Sequence, residues 1–107
     1  MTVIELYRIA REFEGTPAEL QTVLRERCGN VISVGDDLSF VVRLPSEIHL
    51  DVDLLESLGG KRKKLYPFRN CCIFGRGYIA WDGKFLRISR EIDEKILEKI
   101  LTSLDVE

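Results

Sequence analysis

The chain has 107 residues, of which 45% are hydrophobic and 32% are charged, and its formal net charge is −2 at pH 7. This length suits one domain and excludes two independent cores, while the apolar content excludes wholesale disorder. The apolar runs are short, whereas a membrane-spanning helix needs roughly 20 apolar residues, so no such helix is expected.

The N-terminal part of the sequence predicts two helices. Residues 2–14 place apolar side chains at helical spacing, and Thr2 and Glu5 have the spacing of a capping box, in which two side chains bind free backbone N–H groups. A second capping box at Thr16 predicts another helix, which ends at Gly29.

After the second helix, the apolar pattern changes from a helical period to a β-type period. Residues 31–34 and 38–44 predict two strands of a hairpin, with a turn at residues 35–37. Residues 48–50 predict a further short strand. Residues 51–58 predict a short helix, which ends at a pair of glycines.

The second half of the chain contains the strongest β signal. Residues 71–74, 77–81 and 84–88 predict three strands, separated by Gly75-Arg76 and by Asp82-Gly83. An Asp-Gly pair between such runs is typical of a type I′ hairpin turn, in which both central residues have positive φ.

The last predicted element is an amphipathic helix with Ser89 as its N-cap. Its apolar residues recur at helical spacing: Ile92, Ile96, Leu97, Ile100, Leu101 and Leu104. This stripe suits either the core of the domain or a partner helix.

Together these elements predict the α+β class. Because successive strands are joined by hairpins and not by crossover helices, the sheet is expected to be antiparallel. We expect a single domain over residues 1–107, with about five strands and with two N-terminal helices and one C-terminal helix packed on the sheet.

The N-terminus and the cysteines predict a compartment. The chain starts without an apolar signal-peptide region, which predicts a cytoplasmic protein. Its three cysteines are odd in number, and Cys71 and Cys72 are adjacent, so free thiols are expected rather than disulfides. Two Asn, one Gln and one Met among many charged residues also suggest a thermophilic source.

One segment departs strongly from the average charge. Between Ser57 and Trp81 there are six cations and no acid, so a chain of net charge −2 divides into a segment of +6 and a remainder of −8. The cations are Lys61, Arg62, Lys63, Lys64, Arg69 and Arg76, with the aromatic residues Tyr66, Phe68, Phe74 and Tyr78 between them. Such a patch attracts polyanions, and interleaved aromatics suit single-stranded nucleic acid.

The ordinary interpretation of the same segment is structural. A run of charges after Gly59-Gly60 and before Pro67 predicts an exposed, solvated loop at residues 61–64. On this interpretation the neighbouring aromatic residues belong to the core or its edge.

A second set of residues suits a metal. If residues 49–53 formed a strand, His49, Asp51 and Asp53 would share one face and could bind a divalent cation. The alternative is that Asp51 caps the short helix and Asp53 lies in its first turn, where the helix dipole favours negative charge. We favour the alternative, so no metal and no cofactor are predicted. An enzyme using a Cys–His pair would need His49 beside a thiol.

The sequence therefore leads to a hypothesis and two alternatives. The hypothesis is a non-catalytic module that binds a nucleic acid or an acidic partner through Lys61, Arg62, Lys63, Lys64, Tyr66, Arg69 and Arg76. The first alternative is a protein-interaction or homodimerising module that binds no nucleic acid. The second is a small enzyme or metal-binding domain that uses His49.

Overall fold

A computed structural model describes residues 2–106, which form four helices and one six-stranded antiparallel sheet. The α+β class is confirmed, with one strand more than the sequence predicted. The helices are α1 (Val3–Glu12), α2 (Pro17–Arg27), α3 (Val52–Ser57) and α4 (Glu94–Ser103). The strands are β1 (Val31–Val34), β2 (Phe40–Arg43), β3 (Lys61–Leu65), β4 (Phe68–Phe74), β5 (Gly77–Asp82) and β6 (Phe85–Ile88).

The strands lie in the order β1-β2-β6-β5-β4-β3, so β1 and β3 are the two edges of the sheet. The pairs β1–β2, β3–β4, β4–β5 and β5–β6 are sequential hairpins, and β2 pairs with β6 in the middle of the sheet. The hairpin prediction is therefore confirmed, and the long-range pairing of β2 with β6 joins the two halves of the chain.

Capping residues fix the start of each long helix. Thr2 and Thr16 form the two capping boxes that the sequence predicted. The predicted N-cap of the last helix is wrong: α4 begins after Asp93, whose carboxylate accepts from the backbone N–H groups of Lys95 and Ile96. Ser89 instead accepts from the N–H of Glu91 in the preceding turn, so that Ile92 lies before the helix.

The hydrophobic core lies between the helices and one face of the sheet. Every buried residue of the four helices belongs to a single cluster. The strand residues Phe40, Ile79, Trp81 and Ile88 belong to the same cluster, which places them on the covered face. Trp81 is thus a core residue. The stripe of α4 likewise contributes to the core of its own domain, through Leu97, Ile100 and Leu101.

The opposite side of the sheet, which we call the open face, carries the alternate side chains of the same strands. Val41, Cys71 and Ala80 are buried but do not belong to the core cluster. Strand register places these three residues in one row across the sheet with Arg87 and Lys63. From β2 to β3, the residues paired along this row are Val41, Arg87, Ala80, Cys71 and Lys63.

Three local predictions need correction. Residues 61–64 are not a loop but most of strand β3, because an edge strand pairs its backbone on one side and leaves charged side chains in solvent. Residues 48–50 form no strand. The β5–β6 turn consists of Gly83 and Lys84, since Asp82 already pairs with Phe85. Gly83 has a positive φ of 57° at this turn and Lys84 does not, so the predicted type I′ turn, with positive φ at both central residues, is wrong.

No helix among residues 2–106 combines the length and the apolar character that crossing a membrane requires.

Candidate functional site

The six cations of the charged segment lie along one margin of the sheet. We call this margin the basic edge; it consists of residues 61–64 of β3 together with Arg69 of β4 and Arg76 of the β4–β5 turn. All six side chains belong to exposed residues. Because a strand advances about 3.4 Å per residue, the seven-residue β4 sets the length of this margin at roughly 20 Å.

The pleat divides the basic edge between the two sides of the sheet. Lys61 pairs with Ile73 and Lys63 pairs with Cys71, and both lysines therefore point to the open face. Arg62 pairs with Cys72 and points to the side that carries the helices. The sequence run of four cations thus contributes two lysines to the open face rather than one continuous patch.

Two of the six cations are engaged within the protein. Arg62 donates from Nη2 to Oδ1 of Asn70 at 3.0 Å, and its guanidinium lies 5.7 Å from the ring centroid of Trp81. Arg69 lies with Nε 3.8 Å from Oδ1 of Asp82. Among residues 2–106, no ion pair involves Lys61, Arg62, Lys63, Lys64 or Arg76.

Tyr66 lies at the turn between β3 and β4 and is 96% exposed. The interpretation that places the neighbouring aromatic residues in or at the core fails for Tyr66, because the turn holds the ring away from the sheet. It holds for Phe74, which is buried in the core. Phe68 is neither fully exposed, as Tyr66 is, nor part of the core, as Phe74 is. It begins β4 beside a shift in strand register, and the Arg87 guanidinium lies 6.0 Å from its ring centroid.

A groove of about 590 Å³ lies on the open face beside this turn. Its lining is Ile32, Ser33, Val41, Pro67, Phe68, Asp82, Gly83, Phe85 and Arg87. Phe85 and Ile32 are each 40% exposed, so two large apolar side chains of this groove are accessible to solvent. Apolar side chains thus remain accessible to solvent on a face that also carries Lys61 and Lys63.

Phe85 and Arg87 are candidate site residues that the charged segment did not indicate. Alternation within β6 was the available signal, since Leu86 and Ile88 are buried and Phe85 and Arg87, which alternate with them, must point to the other side. This alternation did not point to a site, because β6 lies outside the charged segment in sequence and only the folded sheet brings the two together.

A polar cluster borders the open face at the β1–β2 turn. The Tyr78 hydroxyl donates to Oδ2 of Asp37 at 2.7 Å, and the buried Ser39 hydroxyl donates to Oδ1 at 2.5 Å. The Ser39 oxygen accepts from Nε of Arg87 at 2.8 Å. Although burial raises the pKa of Asp37, the hydrogen bonds from Ser39 and Tyr78 outweigh it and lower the pKa below its usual value. The cluster fixes the position of Arg87 on the open face.

This cluster predicts a pH-dependent contribution to stability. A carboxyl group with a lowered pKa in the folded state stabilises the fold above its unfolded pKa, and this contribution is lost as the pH falls through the folded value. We expect Asp37→Asn to reduce the free energy of unfolding by about 1 kcal/mol at pH 7, since solvent screens this exposed carboxylate.

The measurement is urea unfolding at pH 7 and at pH 3. The deficit of Asp37→Asn should shrink between pH 7 and pH 3, because the unfolded chain takes up a proton at Asp37 at a higher pH than the folded protein does. Asp36→Asn, at the neighbouring exposed position, is the control and should differ little from wild type. A deficit that is the same at both pH values would contradict the proposed role of the charge.

The proposed metal and nucleophile residues do not come together. His49 is exposed and lies outside any strand, while Asp51 is the N-cap of α3 and accepts from the N–H of Asp53 at 2.9 Å. The strand geometry that would align His49, Asp51 and Asp53 is therefore wrong. Residues 2–106 contain no cluster of three His, Cys, Asp or Glu side chains suited to a metal.

The cysteines are free thiols, as the sequence predicted. Cys71 lies on the open face and Cys72 in the core, and burial raises the pKa of both thiols. Since the thiolate is the reactive form of cysteine, this shift disfavours a nucleophilic role for either residue.

These observations define a small α+β domain whose antiparallel sheet is covered by helices on one face and open on the other. The chain belongs to the same family as a protein of Archaeoglobus fulgidus, with 50% identity over 101 residues that cover 94% of this chain and 92% of the relative. That relative is described as an uncharacterized protein. No family model matches the chain, and no solved structure matches it.

Proposed function

We propose that this protein is a non-catalytic binding module that engages a polyanion, either a nucleic acid or an acidic partner, through its basic edge. The observation that carries the proposal is the run of four consecutive exposed cations along β3, for which residues 2–106 supply no ion-pair partner. Unpaired cations that are held at fixed spacing are suited to phosphates or carboxylates of a ligand.

The position of the charges supports binding to another molecule rather than to a second copy of β3. Two such strands placed side by side would bring lysines and arginines of both copies together, and like charges that face each other are unfavourable. Charged side chains on an edge strand also prevent uncontrolled pairing of sheets. An extended polyanion would instead meet attraction along the whole edge.

The test is a charge reversal of the two lysines on the open face. We expect Lys61→Glu/Lys63→Glu to weaken binding of a fluorescein-labelled 12-nucleotide single strand by about tenfold or more. Because each phosphate contact contributes about 0.7 to the log–log salt slope on single strands, the slope should become shallower by about 1.4. Fluorescence anisotropy at several salt concentrations measures both quantities.

Lys95→Glu/Lys99→Glu is the matched control. It makes the same change in net charge at two exposed residues of α4, and its affinity should remain within about twofold of wild type if binding is local. Equal losses in the two double variants would mean that net charge alone governs binding. The proposal fails if wild-type protein binds neither the oligonucleotide nor polyglutamate at low salt.

The homodimerising alternative would use the apolar part of the open face, where Ile32 and Phe85 are exposed. Sedimentation velocity over a hundredfold range of concentration distinguishes it, since a dimer requires a mass that rises with concentration. An enzyme or metal site at His49 gains no support from the arrangement of its neighbours. A cytoplasmic location and a thermophilic source remain predictions from the sequence.

A further inference from the structure

We propose that the ligand of this protein is single-stranded nucleic acid, with its bases in the groove of the open face and its phosphates on the cations around that groove. The inference rests on the proposed function and names the chemical class of the polyanion. It depends on an arrangement that the charged segment alone does not contain, namely accessible aromatic rings beside cations on one uncovered sheet surface.

The groove offers rings to a flat ligand. Phe85 is 40% exposed, Phe68 lies across the groove from β6, and Tyr66 extends from the adjoining turn into solvent. Val41 and Ile32 supply an apolar surface between them. Bases stack on aromatic side chains irrespective of their sequence, and each such contact contributes about 1–3 kcal/mol by alanine substitution.

Cations lie on the same surface as the rings. The Arg87 guanidinium lies 6.0 Å from the Phe68 ring centroid, and Arg87 lines the groove, while its Nε donates to the Ser39 hydroxyl and its Nη2 lies against Gly35. Lys63 lies in the same row as Arg87 across the sheet. The row crosses five strands, about 19 Å at a strand spacing of about 4.8 Å, which is long enough for several nucleotides.

The single carboxylate in the groove does not oppose this ligand. Asp82 lies 3.8 Å from Arg69, and the nearby positive charge offsets much of its repulsion of phosphate. A carboxylate beside a base also has a favourable use, because it accepts hydrogen bonds from exocyclic amino groups such as N4 of cytosine. Asp82 is thus placed to contact a base edge.

Single strands fit this surface better than other polyanions. In a duplex the base faces are stacked on one another and are not accessible to Phe85 or Tyr66, whereas unpaired bases can splay onto a protein surface. An acidic peptide would use the lysines but has no flat groups for the rings.

The experiment compares a base-bearing single strand with three other polyanions on the full-length protein. The probes are fluorescein-labelled 12-nucleotide single strands of mixed sequence, an abasic strand with the same sugar–phosphate backbone, a 12-base-pair duplex and polyglutamate. We expect wild-type protein to bind the base-bearing strand at least about tenfold more tightly than the abasic strand or polyglutamate, and more tightly than the duplex. This comparison needs no variant and therefore does not depend on any variant's stability.

Variants then locate the bases. Phe85→Leu keeps an apolar side chain at an exposed position, so the fold should persist, and it should lower affinity for the base-bearing strand about tenfold without changing affinity for the abasic strand. Phe13→Leu replaces a half-buried aromatic residue that packs against the core from the helix layer, and it should leave both affinities unchanged.

The outcomes separate this inference from the proposed function. Equal affinity for base-bearing and abasic strands, or tighter binding of duplex or polyglutamate, would overturn the inference and leave binding by the basic edge intact. An unchanged preference for bases in Phe85→Leu would also overturn it, since the bases would then lie elsewhere. Absence of binding to every probe at low salt would overturn both proposals.

Discussion

Replacing Gly77 by alanine should destabilise the domain by about 3 kcal/mol or more. Gly77 begins β5 on the covered face of the sheet, and an added Cβ would lie 2.2 Å from both the N and the Cα of Ile92. Overpacking typically costs 1–3 kcal/mol where side chains can adjust, but here the obstacle is backbone. The segment before α4 would have to move away from the sheet.

The measurement is thermal and urea unfolding followed by circular dichroism. For a domain of this size the expected loss corresponds to a fall in melting temperature of roughly 15 °C. Gly29→Ala is the control, since an added Cβ there meets nothing within 4 Å and should leave the stability within about 1 kcal/mol of wild type. A Gly77→Ala protein as stable as the control would mean that the contact with Ile92 is not close.

The close contact at Gly77 illustrates what local patterns predict and what they omit. Capping boxes at Thr2 and Thr16, and the hairpins on either side of β5, depend on residues near one another in sequence, and all were predictable. The approach of Ile92 to Gly77 depends on how the segment after β6 returns over the sheet. No periodicity in either segment contains that information.

Strand β3 was missed because intrinsic preference and tertiary pairing conflict there. Lysine is depleted in strands on average, and four cationic residues in succession suggest a solvated loop. At the edge of a sheet, however, β4 supplies one side of the backbone hydrogen bonding and the charged side chains remain in water. The fold therefore gives the cations fixed spacing that a loop would not provide.

The candidate groove was less predictable than the fold. Phe68 has the same alternation as Cys72 and Phe74, which are core residues, and a simple strand pattern therefore assigns it to the core. The register shift beside the turn places its ring with Arg87 instead. A binding surface assembled from five strands requires the strand order, which the sequence does not specify.

Removing the hydroxyl group of Tyr7 should be the second most damaging change. Tyr7 is fully buried in α1, and its hydroxyl donates to the backbone carbonyl of Ile92 and accepts from Nη1 of Arg11 at 2.9 Å. Gly77 and Tyr7 therefore both fix the position of Ile92, Gly77 through close packing and Tyr7 through a hydrogen bond. Because Ile92 is itself fully buried, water cannot readily replace the lost donor.

We expect Tyr7→Phe to lower the free energy of unfolding by about 2 kcal/mol, the cost of leaving a buried acceptor without its partner. The ring remains, so no cavity of comparable size adds to the loss. Tyr66→Phe makes the same chemical change at a residue that is 96% exposed, and it should alter stability by less than about 0.5 kcal/mol. Urea unfolding at pH 7 compares the two variants, and equal stabilities would show that the hydroxyl of Tyr7 does not hold the segment before α4 against the helix layer.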